Sequence, residues 1–148
     1  MGLFDKVFGS RMGSATELNP AESMLGVMVA TMGADGHIAR EELDGLSANV
    51  NRMNMFKTMT QAQFNDALRK VVSLLDRRGA PELMKLSTPN ITGDYKETAF
   101  AIALDMVLAD GVVDREEEVL IDGLQAALQV PDDQAKKILE VLLIKNKP

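Results

Sequence analysis

A nine-residue segment occurs twice in this chain, and no other feature of the sequence constrains the fold as strongly. Residues 34–42 read ADGHIAREE and residues 109–117 read ADGVVDREE, so that six of the nine positions are identical. The second copy begins 75 residues after the first. Each copy joins an Asp-Gly turn to acidic residues. The repeat predicts an internal duplication, in which the chain builds the same supersecondary unit twice.

The spacing of apolar residues around the two copies predicts that each unit is a pair of helices. Apolar residues precede each turn at intervals of three and four, which is the spacing of one buried helix face. Further apolar residues follow each turn. Each half of the chain is therefore predicted to be a helix, an acidic Asp-Gly turn and a second helix. The leading helices carry Leu25, Met28, Val29 and Met32 in the first copy and Phe100, Ala103, Leu104 and Val107 in the second.

Helix-start signals elsewhere in the chain predict further helices. Residues 19–22 and 60–63 match the capping-box pattern, and Pro131 precedes a last amphipathic stretch. No stretch alternates apolar and polar residues with the period of a strand. The sequence therefore predicts an all-α fold, a bundle of about seven helices with two related halves. The predicted spans are roughly 20–32, 40–53, 61–78, 81–86, 95–109, 115–129 and a last helix from about 131. The buried face of that last helix is predicted to consist of Ala135, Ile138, Leu139, Leu142 and Leu143.

The predicted domain, residues 19–145, follows an amphipathic segment and linker at residues 1–18. Apolar residues in this segment share one helical face, and a stretch rich in Gly and Ser follows them as a flexible link. We expect the segment to pack on the bundle or to dock to a protein. Peripheral membrane contact is the alternative, although Lys6 alone is little charge for an anionic membrane. The apolar residues are Leu3, Phe4, Val7 and Phe8.

The amino-acid composition argues against several classes of function. The chain has no Cys, which excludes disulfides and thiolate metal sites. Its net charge is −6 and its basic residues are dispersed, so we expect no nucleic-acid partner. No stretch is long enough to span a membrane, and the first ten residues lack a signal-peptide core, which predicts a cytoplasmic location.

The acidic turns match part of a calcium-binding EF-hand loop. Asp110 takes position 5 of such a loop, Gly111 takes position 6 and Glu117 takes position 12. Positions 1 and 3 then fall on Met106 and Leu108, whose side chains carry no oxygen. The first copy has the same deficiency at position 3, where it has Gly. A complete calcium loop is therefore excluded, and only the second half of the pattern is present.

The paired Asp-Gly turns, each followed by an apolar residue and acidic helix residues, resemble the tellurite-resistance TerB family. Residues 4–7, which read FDKV, are also similar to the start of TerB proteins. The resemblance implies an all-helical bundle with two related halves and no established enzymatic activity. It further implies a role in tellurite and other envelope or chemical stress, with clustered acidic residues binding a metal. By position, Asp35 and Asp110 are the turn carboxylates, and Glu42 and Glu117 are the helix carboxylates.

If the halves pack as a duplicated bundle, the acidic residues of both turns meet in one negative pocket. The candidate metal ligands are Asp35, Glu42, Asp110, Asp114 and Glu117. Because these ligands are all oxygen donors, calcium or magnesium is favoured as the divalent metal, and His37 is the one reason to keep zinc open. The first copy has Ala39 where the second has Asp114, which makes it poorer in ligands. The predicted function is a non-enzymatic binding module that holds a divalent cation or docks a protein partner.

Two alternatives to this prediction exist. A metal-dependent hydrolase is weakly supported, because the chain has one His, no Cys and no nucleophile motif. The other is a purely structural or interaction bundle whose acidic residues cap helices. Asp114 and Glu117 have capping-box spacing, and acidic residues in a first turn complement the helix dipole, so this role is favoured for them. For Asp35 and Asp110 the sequence favours neither role.

Overall fold

The protein is an all-α bundle. The computed structural model describes residues 17–36, 38–109 and 111–148, and these ranges contain helices but no strand. None of their helices is long and apolar enough to cross a bilayer. The predicted amphipathic segment, Asp110 and His37 lie outside the described ranges. The α-helices are α1 (Pro20–Met32), α2 (Arg40–Val50), α3 (Gln61–Arg78), α4 (Ala80–Ser87), α5 (Tyr95–Leu108), α6 (Arg115–Ala127) and α7 (Asp132–Lys145), and 3₁₀ turns span Asn54–Phe56 and Thr88–Asn90.

Helix α1 forms the centre of the bundle. It packs against α3, α4 and α5, and every residue from Ser23 to Thr31 is buried. On the predicted face Leu25, Met28 and Val29 are buried and Met32 is half-buried, and burial extends to the other sides of the helix as well. Residues 24–30 are apolar or Gly on all sides, and a helix that is apolar all round is stable only where neighbours surround it. The remaining helices extend this core, with α5 packing on α6 and α7, and α4 packing on α6.

Capping boxes begin α1 and α3, as the sequence predicted. The Asn19 side chain accepts a hydrogen bond from the Glu22 amide at 2.8 Å, and Glu22 accepts one from the Asn19 amide at 3.0 Å. Thr60 and Gln63 form the same reciprocal pair at the start of α3. Glu22 also forms an ion pair with Lys70 at 3.2 Å, which connects the start of α1 to α3. These local interactions explain why the helix starts could be read from the sequence.

Helices α1 and α4 approach each other closely at Gly26. A Cβ atom at this position would overlap the Ser87 hydroxyl oxygen and lie 3.1 Å from Ser87 Cβ. Ser87 is itself buried, and its hydroxyl donates to the Leu83 carbonyl at 2.7 Å within α4. The absence of a side chain at Gly26 therefore lets the backbone of α1 pack directly on a satisfied polar group of α4.

Three details differ from the sequence prediction. Helix α2 ends at Val50, before the predicted end near 53, and the chain continues through a 3₁₀ turn in which Phe56 is buried. On α7, Leu143 is 53% exposed, so its predicted place on the buried face was wrong. Leu18, placed in the linker by sequence, is buried in the core. Phe56 packs edge-to-face on Phe64 of α3, with ring centroids 6.2 Å apart.

Candidate functional site

The glycines of the two Asp-Gly motifs have similar backbone conformations. Gly36 and Gly111 both adopt left-handed conformations, with φ angles of 95° and 81°. The Gly36 amide donates to the Gly33 carbonyl at 2.9 Å, and the Gly111 amide donates to the Leu108 carbonyl at 3.2 Å. Gly is the residue that adopts positive φ without steric cost. The two copies therefore share a left-handed Gly, whose amide donates to the carbonyl three residues earlier, after α1 and after α5.

The two copies differ at the N-cap residue, which directly precedes the following helix. Asp114 caps α6: its side chain accepts from the Glu117 amide at 2.8 Å, and Glu117 accepts from the Asp114 amide at 3.2 Å. The predicted capping box is thus confirmed. Ala39 occupies the equivalent position before α2 and makes no side-chain cap. One carboxylate oxygen of Asp114 and one of Glu117 consequently accept hydrogen bonds at the start of α6.

Acidic residues from both copies line one cleft of about 450 Å³. Asp35 and Glu42 are exposed, whereas Asp114 and Glu117 are half-buried. The fifth candidate, Asp110, lies outside the described residues but adjoins the lining residue Ala109 in sequence. The fold therefore brings carboxylates from the two repeats, 75 residues apart in sequence, to the same cleft. The remaining lining residues are Thr31, Met32, Ala34, Gly45, Leu46, Asn49 and Met106.

Asn49 is a lining residue that the sequence interpretation missed. It stands seven positions after Glu42 on α2, and Gly45 and Leu46 lie between them on the same helical face. Its side-chain amide offers an oxygen acceptor and two donors. The three-and-four spacing from Glu42 was the available signal, because residues at these intervals line one face of a helix. Asn49 is uncharged and lies beyond the repeated segment, so the acidic pattern does not indicate it.

The charge of the cleft has one sign. Every charged residue in its described lining is acidic. Carboxylates brought into one cleft repel each other, and the repulsion falls when a cation enters. The carboxylates and Asn49 offer oxygen atoms, which are the donors preferred by calcium and magnesium. The cleft is thus suited to attract a cation.

The acidic residues do not form a tight ligand cage. Within residues 17–36, 38–109 and 111–148, no three His, Asp or Glu side chains are grouped closely enough to hold one metal ion. Asp114 and Glu117 each use an oxygen in the capping box. An arrangement of this kind suits a hydrated ion, held partly through water, or a cationic side chain. Magnesium in particular keeps several of its waters in protein sites.

Comparison with known proteins adds nothing to this geometry. No family model matches the chain, and neither the characterised proteins nor the solved structures include a significant match. The interpretation of the cleft therefore depends on the observations above. These are two left-handed glycines at equivalent positions, four described carboxylates on one cleft and a capping box that engages two of them.

Proposed function

We propose that the protein is a non-enzymatic, TerB-like module whose acidic cleft binds a divalent cation. The single observation that carries the proposal is that Asp35, Glu42, Asp114 and Glu117, contributed by both repeats, line the same cleft. A structural cap explains Asp114 and Glu117. Glu42 is not part of such a cap, because Ala39 provides no side-chain cap for α2.

Calcium or magnesium is the proposed ion. The described lining offers carboxylate and amide oxygens and contains neither His nor Cys, the residues that usually bind zinc. The two missing ligand positions of the EF-hand pattern and the open cleft imply modest affinity with water in the coordination shell. Asp110 would add a fifth carboxylate. The resemblance to TerB proteins extends the proposal to a role in tellurite or other chemical stress, in the cytoplasm.

The proposal predicts that millimolar calcium or magnesium stabilises the folded protein. A cation at about tenfold above its Kd adds roughly 1.4 kcal/mol to the free energy of unfolding, because it binds the folded state. For a chain of this length that corresponds to a rise in Tm of about 3–6 °C. The measurement is a thermal unfolding curve with and without each ion. Potassium chloride at equal ionic strength provides the control for general screening.

Variants that preserve the helix cap separate cation binding from capping. Asp114→Asn with Glu117→Gln keeps the hydrogen bonds of the capping box but removes both charges, so its Tm should not respond to the cation. Asp76→Asn with Glu140→Gln makes the same charge change at exposed positions outside the cleft and should respond as wild type does. Asp110→Asn tests the fifth carboxylate. If neither ion shifts the wild-type Tm, the cation proposal is wrong and capping remains as the role of Asp114 and Glu117.

A second candidate is docking of a basic protein segment. The absence of a tight ligand group among the described residues, together with the width of the cleft, favours a Lys or Arg side chain as the occupant. Calorimetry with a short lysine-rich peptide tests this. Binding that weakens steeply with salt and is lost in Asp35→Asn with Glu42→Gln supports docking. A hydrolase is the remaining alternative, and the described lining contributes no observation in its favour.

A further inference from the structure

An apolar groove of about 610 Å³ lies between α4 and α6, next to the acidic cleft. Ala34 lines both the groove and the cleft. The α4 wall includes Pro81 and Met84, and the α6 wall includes Val119, Leu120, Gly123 and Ala127. The α6 residues recur at helical intervals, so the groove follows the length of one helix face. Its shape and lining suit the apolar face of another helix.

The groove has room for additional side chains. Val119 is 58% exposed, although it stands in a mostly apolar wall. A Cβ atom built at Gly123 has no described atom within 4 Å, so open space faces this part of α6. A Gly inside a helix costs about 1 kcal/mol relative to Ala. An open apolar groove of this kind is characteristic of an interaction site.

The described chain begins close to this groove. The Glu17 carbonyl accepts a hydrogen bond from Lys70 at 3.2 Å, and the Leu18 carbonyl accepts one from the Asn90 side chain. Asn90 ends the 3₁₀ turn that starts at Thr88, and Thr88 lines the groove. The sixteen residues before Glu17 span about 50 Å when extended. Their attachment point therefore lies near the groove, and their length is ample to reach along it.

We infer that the groove binds the chain's own amino-terminal segment through Leu3, Phe4, Val7 and Phe8. These four residues follow the spacing of one helical face, which complements the helical spacing of the α6 wall. Attachment to the same chain raises the effective concentration of the segment to the millimolar range, so weak contacts are sufficient for docking. The Gly and Ser residues between the segment and Leu18 give it the freedom to reach the groove.

Disulfide trapping in the full chain tests this inference. The natural sequence contains no Cys, so the two introduced thiols are the only ones in the chain. One variant combines Val7→Cys with Val119→Cys in the groove. The matched control combines Val7→Cys with Val141→Cys on α7, where the Val side chain is 63% exposed. Under mild oxidation at micromolar protein, the groove pair should form an intramolecular disulfide roughly tenfold faster, as resolved by non-reducing electrophoresis and mass spectrometry.

A blocking substitution distinguishes docking from random collision of the tether. Gly123→Leu fills the open space in the groove and should reduce the crosslinking rate of the groove pair to that of the control pair. Gly45→Leu, at an equally open glycine in the acidic cleft, should leave the rate unchanged. Circular dichroism verifies that each variant is folded. Equal rates for the two pairs, no effect of Gly123→Leu, or disulfides formed only between molecules would each overturn the inference, and the last would identify a second copy as the occupant.

Discussion

Gly26 allows α1 and α4 to pack closely against each other. The Ser87 side chain occupies the space that a Cβ atom at Gly26 would need. Gly45 on α2 is the opposite case, since no described atom lies within 4 Å of a Cβ built there. Both residues are helical glycines and carry the same intrinsic cost. The sequence indicates neither the contact at Gly26 nor the space at Gly45, because both depend on how helices that are distant along the chain pack in the bundle.

Replacing the two glycines by Ala should have opposite effects on stability. Gly26→Ala is expected to lower the free energy of unfolding by about 1–3 kcal/mol, because the added methyl group forces α1 and α4 apart. Gly45→Ala should raise it by up to about 1 kcal/mol through helix propensity alone. Urea denaturation with unchanged m-values measures both effects. A Gly26→Ala variant as stable as wild type would contradict the prediction and indicate that Ser87 rotates away.

At the scale of elements, local hydrogen bonds explain which features could be read from the sequence. The helix starts at Pro20, Gln61 and Arg115 were predictable, because each directly follows an N-cap residue whose capping box spans four consecutive residues. The end of α2 and the exposure of Leu143 were not predictable, because they depend on which distant residues pack nearby. The Asp-Gly turns were predictable for the local reason that a positive φ favours Gly.

Removing the side-chain cap of α6 should lower the stability of the protein, and introducing one before α2 should raise it. Asp114→Ala is expected to cost about 1 kcal/mol by removing the cap of α6, whereas Asp114→Asn should cost little because Asn also caps. Ala39→Ser should add up to about 1 kcal/mol, because the introduced hydroxyl and Glu42 then have capping-box spacing without any added charge. Urea denaturation at constant ionic strength compares the three variants. Equal losses for Asp114→Ala and Asp114→Asn would show that charge, and not capping, is what Asp114 contributes to stability.

At the scale of the whole molecule, the all-α class and the order of the helices followed from periodicity and start signals. The meeting of Asp35 and Glu42 with Asp114 and Glu117 was an expectation that depended on how the halves pack, and these four residues do line one cleft. The arrangement of α3, α4 and α5 around α1 could not be predicted, because apolar periodicity indicates which face is buried but not which helix covers it. The apolar groove was missed for the same reason.

Removal of residues 1–16 should leave the bundle folded. Leu18 is the first core residue among those described, and the cap of α1 begins at Asn19. We expect the Tm to fall by less than about 10 °C, since a docked segment contributes only its weak contacts with the groove. Thermal unfolding of residues 17–148 and of the full chain provides the comparison. A larger fall would show that Phe4 and Phe8 are core residues.

The burial of α1 from Ser23 to Thr31 has a consequence for hydrogen exchange. Its backbone amides reach water only when the packing of α3, α4 and α5 around it is dismantled, so their exchange with deuterium follows unfolding of the whole bundle. Thr31 and Met32, at the end of this helix, line the acidic cleft. A cation bound there would therefore slow exchange along the entire length of α1, including amides near Ser23 that are far from the ligand in sequence.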